Sequence, residues 1–590
     1  MNKIAFLKVS LCRFALMTVL TLCSFIIKNK PANKNEVVIH ALSDPEGFNP
    51  YTTSDAQATH IMRNIFQTLL NYNMSENSEL VPVLAKSRPE IKVLPNKDGM
   101  ELTYEIKEDA VWDNGDPITA EDVVFSYKAL FCPGVNSESN KSSLEFVSDI
   151  RTYTDNPKKF TIISNKVYAM AEDATGVDVF IIPTYFYDSK NLLKDFNVSD
   201  FFNNSKKINT NSKVIEFAKQ FNSTQYSHVS DNVVGSGAYK LESWKLGQKV
   251  VLTKKDNWWG KRHEVENLYF EAYPIKLTYL VINDFSTAIQ ALKEQKLDVI
   301  YVTPVKEFID IEKSAKYKEN FEKSEPPMPV YTYIGLNTRD KILKDIKVRQ
   351  ALSILIDVDY IINHLTYETG KRIVADIDLN NIEDYNSDIE LYPHDIEKAK
   401  SFLAEAGWKD TDGDNILDKK INGEKTPFKL IYNYNSGNQH RENVGLLLQK
   451  WFKEVGIRIE ILPLDWSVYL DELKKQKVQI WYGSWIHDSR DNDLSYIWHT
   501  ESRNGGSNYT AFGNAESDKL IEQINMELDP AKRSELYKQW QVLLHNEAPY
   551  IFLYTQPYRN IIHNRFENLH EGINYPGFWE AGFKLKDDDK

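Results

Sequence analysis

With 590 residues, 42% of them hydrophobic and 26% charged, the chain can bury a large core and has the length of roughly two to four domains. Asp and Glu (84) outnumber Lys and Arg (71), and the net charge of −13 excludes a general affinity for nucleic acid, which needs concentrated cations to displace phosphate counterions. Of the three cysteines, Cys12, Cys23 and Cys132, only the last lies beyond the N-terminal leader, which also excludes a disulfide framework and a Cys-type metal site.

Lys3, Lys8 and Arg13 accompany an uncharged, mostly apolar run from Phe14 to Ile27, so residues 1–27 read as an export signal. The run is shorter than the roughly 20 residues of a transmembrane helix. Leu20-Thr21-Leu22-Cys23 has Leu22 where a lipobox prefers a small residue, so Cys23 is either lipidated or part of an ordinary cleaved or anchoring signal. The polar stretch from Lys28 to Glu36 then suits a tether. Val37 to Leu42 is predicted as a strand, and Ala58 to Leu70 has apolar residues at helical spacing (Ile61, Ile65, Phe66, Leu69).

An extended segment starts at Leu102 and alternates through Tyr104 and Ile106. From Val111 to Tyr127 a strand end, a turn at Asn114-Gly115 and a helix start follow in close order. Thr119 and Asp122 have the spacing of a capping-box-like pair. Residues 135–230, rich in Asn, Ser, Lys and Asp, predict a loop-rich insertion with helices such as Val214 to Phe221. A hairpin-like region opens at Val234 to Tyr239 and turns at Gly247. A strand from Ile275 to Asn283, an amphipathic helix (Ala288, Ile289, Leu292) and Asp298-Val299-Ile300 then suggest one α/β lobe, and a second runs from near Tyr331 to about Tyr550.

The stretch VWDNGDPITAEDVVFSY, from Val111 to Tyr127, resembles the signature of the family 5 extracellular solute-binding proteins, the peptide-binding receptors of ABC importers. Similar blocks occur in the family's order along the chain: Asp44-Pro45 to Asn49-Pro50, Leu80-Val81-Pro82, Gly235 to Tyr239, DIKVRQALSILID from Asp345 to Asp357, DIEKAKSFLAEAG from Asp395 to Gly407, and Glu547-Ala548-Pro549. The resemblance implies an α/β, bilobal, periplasmic-binding-protein-like fold (type II, cluster C-like) with a discontinuous first lobe (37–64, 231–330 and 551–590). It places an inserted domain at 65–230 and a ligand-binding lobe at 331–550. It also implies an exported or surface-anchored monomer, in the periplasm or at the cell surface, that needs no cofactor. Such a receptor carries short peptides in an interlobe cleft to a membrane permease. Alternative ligands on such a fold are a nickel chelate or an oligosaccharide, and alternative roles are a secreted hydrolase or a sensory module.

Enzyme motifs are absent from the sequence. Gly235-Ser236-Gly237 is neither a nucleophile elbow nor a full phosphate loop, and neither a Walker loop nor H-E-x-x-H occurs. The resemblance points instead to Ile480–Trp498. In peptide-binding members a Trp followed three residues later by Asp lies at the cleft, and the Asp pairs with the peptide α-ammonium; Trp485 and Asp488 hold those positions. A carboxylate in a partly dry cleft gives a charge-assisted hydrogen bond to an ammonium. Tyr482 and Trp481 add aromatic surface, although Tyr482 replaces a basic residue common in such receptors. Asn508, Tyr509, Tyr51 and Thr52 are further candidate contacts. In Asp410 to Asp418, DTDGDNILD, the carboxylates of Asp410, Asp412, Asp414 and Asp418 alternate as in a calcium loop, but Asn415 and Ile421 stand where such a loop wants Gly and Glu.

Overall fold

The computed structural model describes residues 35–74, 78–202, 206–486 and 493–586. The export signal and Cys23 therefore lie outside the described residues, as does Asp488. Among the described residues, no helix is long and apolar enough to cross a membrane.

Three large sheets organise the chain. The first has seven strands in the order Phe321–Ser324, Asn560–His563, Val299–Ile300, Glu36–Ala41, Lys276–Val281, Lys249–Lys254 and Tyr239–Lys245. Its strands come from three separated segments, and Glu36–Ala41 lies parallel to both Lys276–Val281 and Val299–Ile300. Parallel neighbours need a crossover, and the helix Phe285–Lys293, capped by Asp284 on the Thr287 amide, supplies it. Arg565 closes this lobe by donating to both oxygens of the buried Asp298, which also accepts from the Val38 amide.

The inserted domain is built on an antiparallel sheet in the order Glu90–Val93, Met100–Glu105, Asn156–Ser164, Val147–Tyr153. Met100, Leu102 and Tyr104 are buried and alternate with half-buried neighbours, as the sequence period predicts. In the turn that follows, Gly115 takes a φ of +88°, and Val111 bridges to Pro117. The helix Ala120–Leu130 begins with the expected capping box: Asp122 accepts from the Thr119 amide at 3.0 Å. The same carboxylate accepts from Trp112 Nε1 (3.2 Å) and from the amide and hydroxyl of Thr184, joining three pieces of this domain.

The third sheet, of five strands, runs Arg458–Leu464, Lys429–Asn435, Ile480–Ile486, Val330–Leu336, Tyr550–Phe552. Helices Ile346–Leu355, Ile396–Glu405 and Gln439–Lys453 cover one face through Val348, Leu352, Leu403, Val444 and Leu448. Two of the resembling blocks meet here. Buried Arg349 donates through Nε to the Glu547 carbonyl at 2.8 Å and pairs with the Glu547 carboxylate at 3.1 Å, holding the C-terminus of the helix Pro530–Glu547.

Three expectations need correcting. Residues 551–555 belong to this second lobe, because Ile551 and Phe552 pair with Ile334 and Tyr333, and Tyr554 and Thr555 with Arg372 and Lys371. The expected helix at 58–70 spans Ala56–Met62 and stops there because the Asn64 and Ile65 carbonyls accept from the Tyr239 and Gly237 amides. The region 135–230 also holds the hairpin Val147–Tyr153/Asn156–Ser164, which its polar composition concealed.

Candidate functional site

The other face of the second lobe's sheet is aromatic and buried, with Trp498 packed on Tyr550 and Trp540 on Trp498. Successive strand residues point to opposite faces, so Tyr331, Tyr333 and Trp481 lie on the face opposite Ile334, Leu336, Ile480 and Tyr482, which face the covering helices. Rings lie flat across glycines on the paired strands. A Cβ on Gly335 would stand 2.2 Å from the Trp481 ring, and one on Gly483 would stand 2.3 Å from Tyr333. Tyr333 also stacks on Tyr550 at 3.6 Å.

This geometry redistributes the residues singled out from sequence. Tyr482 is on the wrong face for a shared surface with Trp481 and Trp485; its hydroxyl shares a 2.9 Å hydrogen bond with Tyr554, whose oxygen is 2.8 Å from His440 Nε2. Burial, helped by Arg441 and Arg559, pushes His440 down to about 4, leaving a neutral imidazole at neutral pH. Trp481 is a core residue. Asn508 is buried too, its amide donating to the carbonyls of Trp498, His499 and Phe512. Tyr51 is buried with its hydroxyl on the Phe180 carbonyl at 2.6 Å, tying the opening loop to the inserted domain. Trp485 and Tyr509 do come together: both are half-buried, with ring centroids 6.1 Å apart in a stacked arrangement, and Trp485 Nε1 donates to the Tyr550 hydroxyl.

A cavity of about 480 Å³ lies where the three parts of the chain converge, within the ~300–1,000 Å³ usual for small-ligand sites. The first lobe contributes Pro50, Ser54, Thr59, His60, Arg63 and Tyr575. Half-buried Thr52 sits between two of these, and Asn140 of the inserted domain binds the carbonyls on either side of it. The inserted domain supplies Asp173, which accepts from the Tyr72 hydroxyl, and Asp178, which accepts from Ser143 Oγ at 2.7 Å. The second lobe supplies Asp493, which accepts from Tyr168 at 2.9 Å and from Asn525 at 2.9 Å. Behind the wall His60 Nε2 is 3.0 Å from Glu580, itself fully buried. Burial works to raise the Glu580 carboxyl, but His60 and the Tyr279 hydroxyl outweigh it and hold the group below its usual range.

The sequence profile of the bacterial extracellular solute-binding proteins, family 5 Middle, matches residues 79–507. The chain belongs to this family. Within family 5, it is similar to the oligopeptide-binding protein AppA of Bacillus subtilis, 28% identical over 92% of this chain and 90% of the relative. It is also similar to the oligopeptide-binding protein OppA of the same organism, 25% identical over 94% and 93%. The solved structure of Bacillus subtilis AppA in complex with a nonapeptide superimposes with a TM-score of 0.70 at 24% identity, covering 94% of this chain and 99% of that one. The bilobal α/β architecture is therefore the family 5 architecture.

The acidic loop of this family 5 chain is stabilised by internal bonds. Asp410, Asp412 and Asp418 offer oxygens within 4.8 Å of one another, whereas Asp414 is not part of that group and accepts from the Ile416 amide. Asp410 accepts from the amides of Gly413 and Asn415, and Asp418 from Thr411. Lys425 Nζ reaches Asp412 at 2.5 Å and Asp418 at 3.3 Å, so an ammonium sits against two of the candidate calcium ligands. Sequence reasoning missed His60, Arg63, Tyr168 and Asp493. The first two stand three residues apart, a spacing that places them on one face of the helix and its C-cap.

Proposed function

We propose that this family 5 protein binds short peptides between its lobes and delivers them to a membrane permease powered by a separate ATPase. The observation that carries the reading is the cavity, walled jointly by the first lobe, the inserted domain and Asp493 of the second lobe. A site divided among lobes is suited to enclosure by hinge closure. The names of its relatives as oligopeptide-binding proteins support the ligand class. Asp488 is proposed as the partner of the peptide α-ammonium: it lies five residues before cavity-lining Asp493, a separation the chain can span only up to about 18 Å. The Trp485–Tyr509 pair offers apolar surface to side chains, Thr52 a polar edge, and Cys23 the site of a lipid anchor outside the cytoplasm. We infer a monomer that needs no cofactor.

Calorimetry with free and N-acetylated tripeptides tests this. Free peptides are expected to bind, and acetylation to weaken binding by roughly ten- to a hundredfold, the worth of a charge-assisted hydrogen bond. If neither peptides nor other amine-bearing solutes bind, the reading fails. If Asp488→Asn binds free peptide as tightly as the wild type, the assignment of Asp488 fails on its own.

A further inference from the structure

The first-lobe wall of the cavity carries a cation with no direct hydrogen-bond or ion-pair partner among the described residues. Ala56, Thr59, His60 and Arg63 all line the cavity, at separations of three, one and three residues that place them on one helical face. His60 is committed to Glu580, whose other oxygen accepts from Tyr279 and Asn64. Arg63 is half-buried; its backbone N–H donates to the Thr59 carbonyl, but among the described residues its guanidinium has neither a hydrogen bond nor an ion pair. Arg63 and Glu271 both line a smaller internal cavity, but Glu271 accepts from Asn568 and lies 2.6 Å from His570 Nε2.

A guanidinium that loses hydration without gaining a partner costs free energy in the ligand-free protein. Its planar fork of donors matches a carboxylate. The other walls cannot take an anion well: Asp173 and Asp178 of the inserted domain and Asp493 of the second lobe all line the same space. A carboxylate entering the cavity is repelled from those walls and attracted to one.

We propose that Arg63 is the anchor for a carboxylate of the bound ligand, either a peptide C-terminus or an acidic side chain. The inference rests on the peptide reading above and adds an orientation, with the anionic end of the ligand against the opening helix of the first lobe.

The test uses full-length protein and four peptides: tri-alanine, tri-alanine amide, Ala-Glu-Ala amide and Ala-Gln-Ala amide. In at least one pair the carboxylate-bearing member should bind roughly ten- to a hundredfold tighter than its neutral counterpart. Arg63→Gln should erase that preference, and Arg63→Lys, which keeps the charge and loses the fork, should retain part of it. Preference within the alanine pair identifies the C-terminus as the source; preference within the Glu/Gln pair identifies a side chain. Melting curves establish that each variant is folded, and should Arg63→Gln not fold, a severalfold loss of preference in Arg63→Lys is the required result. Binding without preference in the wild type, or preference undiminished in the variants, overturns the role of Arg63 and leaves the peptide reading standing. Binding of none of the four overturns both.

Discussion

Asp376 is a carboxylic acid set among indoles: Trp498 Nε1 donates to it at 2.6 Å and Trp540 Nε1 at 3.2 Å, and the residue is 1% exposed. Burial pushes its pKa up to about 6, with the two indole N–H groups pulling the other way. The sign follows from proton counting. Between its unfolded value and about 6 the native state binds the proton more tightly, so unfolding stability is greatest below that window and falls as pH rises through it. The loss amounts to about 3 kcal/mol across the window. Urea unfolding of the wild type and Asp376→Asn between pH 4 and 7 should show the wild type losing that increment relative to the variant; parallel pH profiles would sink the argument. The sequence offered no sign of this residue, because the two Trp residues that fold onto it lie 122 and 164 positions away.

At the scale of elements, the second lobe's central strand pair shows what periodicity can and cannot deliver. The Tyr333–Gly483 and Gly335–Trp481 pairings put each ring over a glycine on the partner strand, a cross-strand fit that compensates for the missing side chain. Tyr333 cannot yield easily because Tyr550 stacks on its other side. Gly483→Ala is therefore expected to cost about 1–3 kcal/mol, the usual penalty of overpacking. Gly247→Asn, at a turn with φ +68° where an added Cβ would meet nothing within 4 Å, should change stability by less than about 0.5 kcal/mol. Equal denaturation midpoints for Gly483→Ala and the wild type would remove the pairing from the account. Strand alternation was legible at Met100–Glu105, where one face is buried. It was not used at Ile480–Ile486, where aromatic residues at both parities invited the reading of one surface, and neighbours such as Trp481 and Tyr482 turn out to face opposite layers.

At the scale of the whole molecule, two lobes and an insertion were expected because the ordered blocks resemble those of family 5, and the blocks were recognisable because each marks a turn, cap or helix start with strict local demands. The cavity was not legible, because its walls come from residues hundreds of positions apart that share no local pattern. Among the described residues, hydrogen bonds join the inserted domain to the second lobe beside it. The Ala169 amide donates to the Asn525 carbonyl at 2.7 Å, and Tyr168 donates to Asp493, which Asn525 also holds. The largest apolar cluster runs through all three parts, and under the proposed hinge closure these hydrogen bonds are among the contacts that opening would break. Removing one should shift the balance between open and closed forms without unfolding either. Tyr168→Phe deletes a single hydroxyl and leaves Asp493 with Asn525. The expected effect is about 1 kcal/mol, seen as a roughly fivefold faster release of bound peptide with an unchanged melting temperature of the ligand-free protein. Small-angle scattering should show a larger radius of gyration for the ligand-free variant than for the wild type. A release rate and a radius both equal to the wild-type values would mean that Tyr168 merely packs and has no part in holding the lobes together.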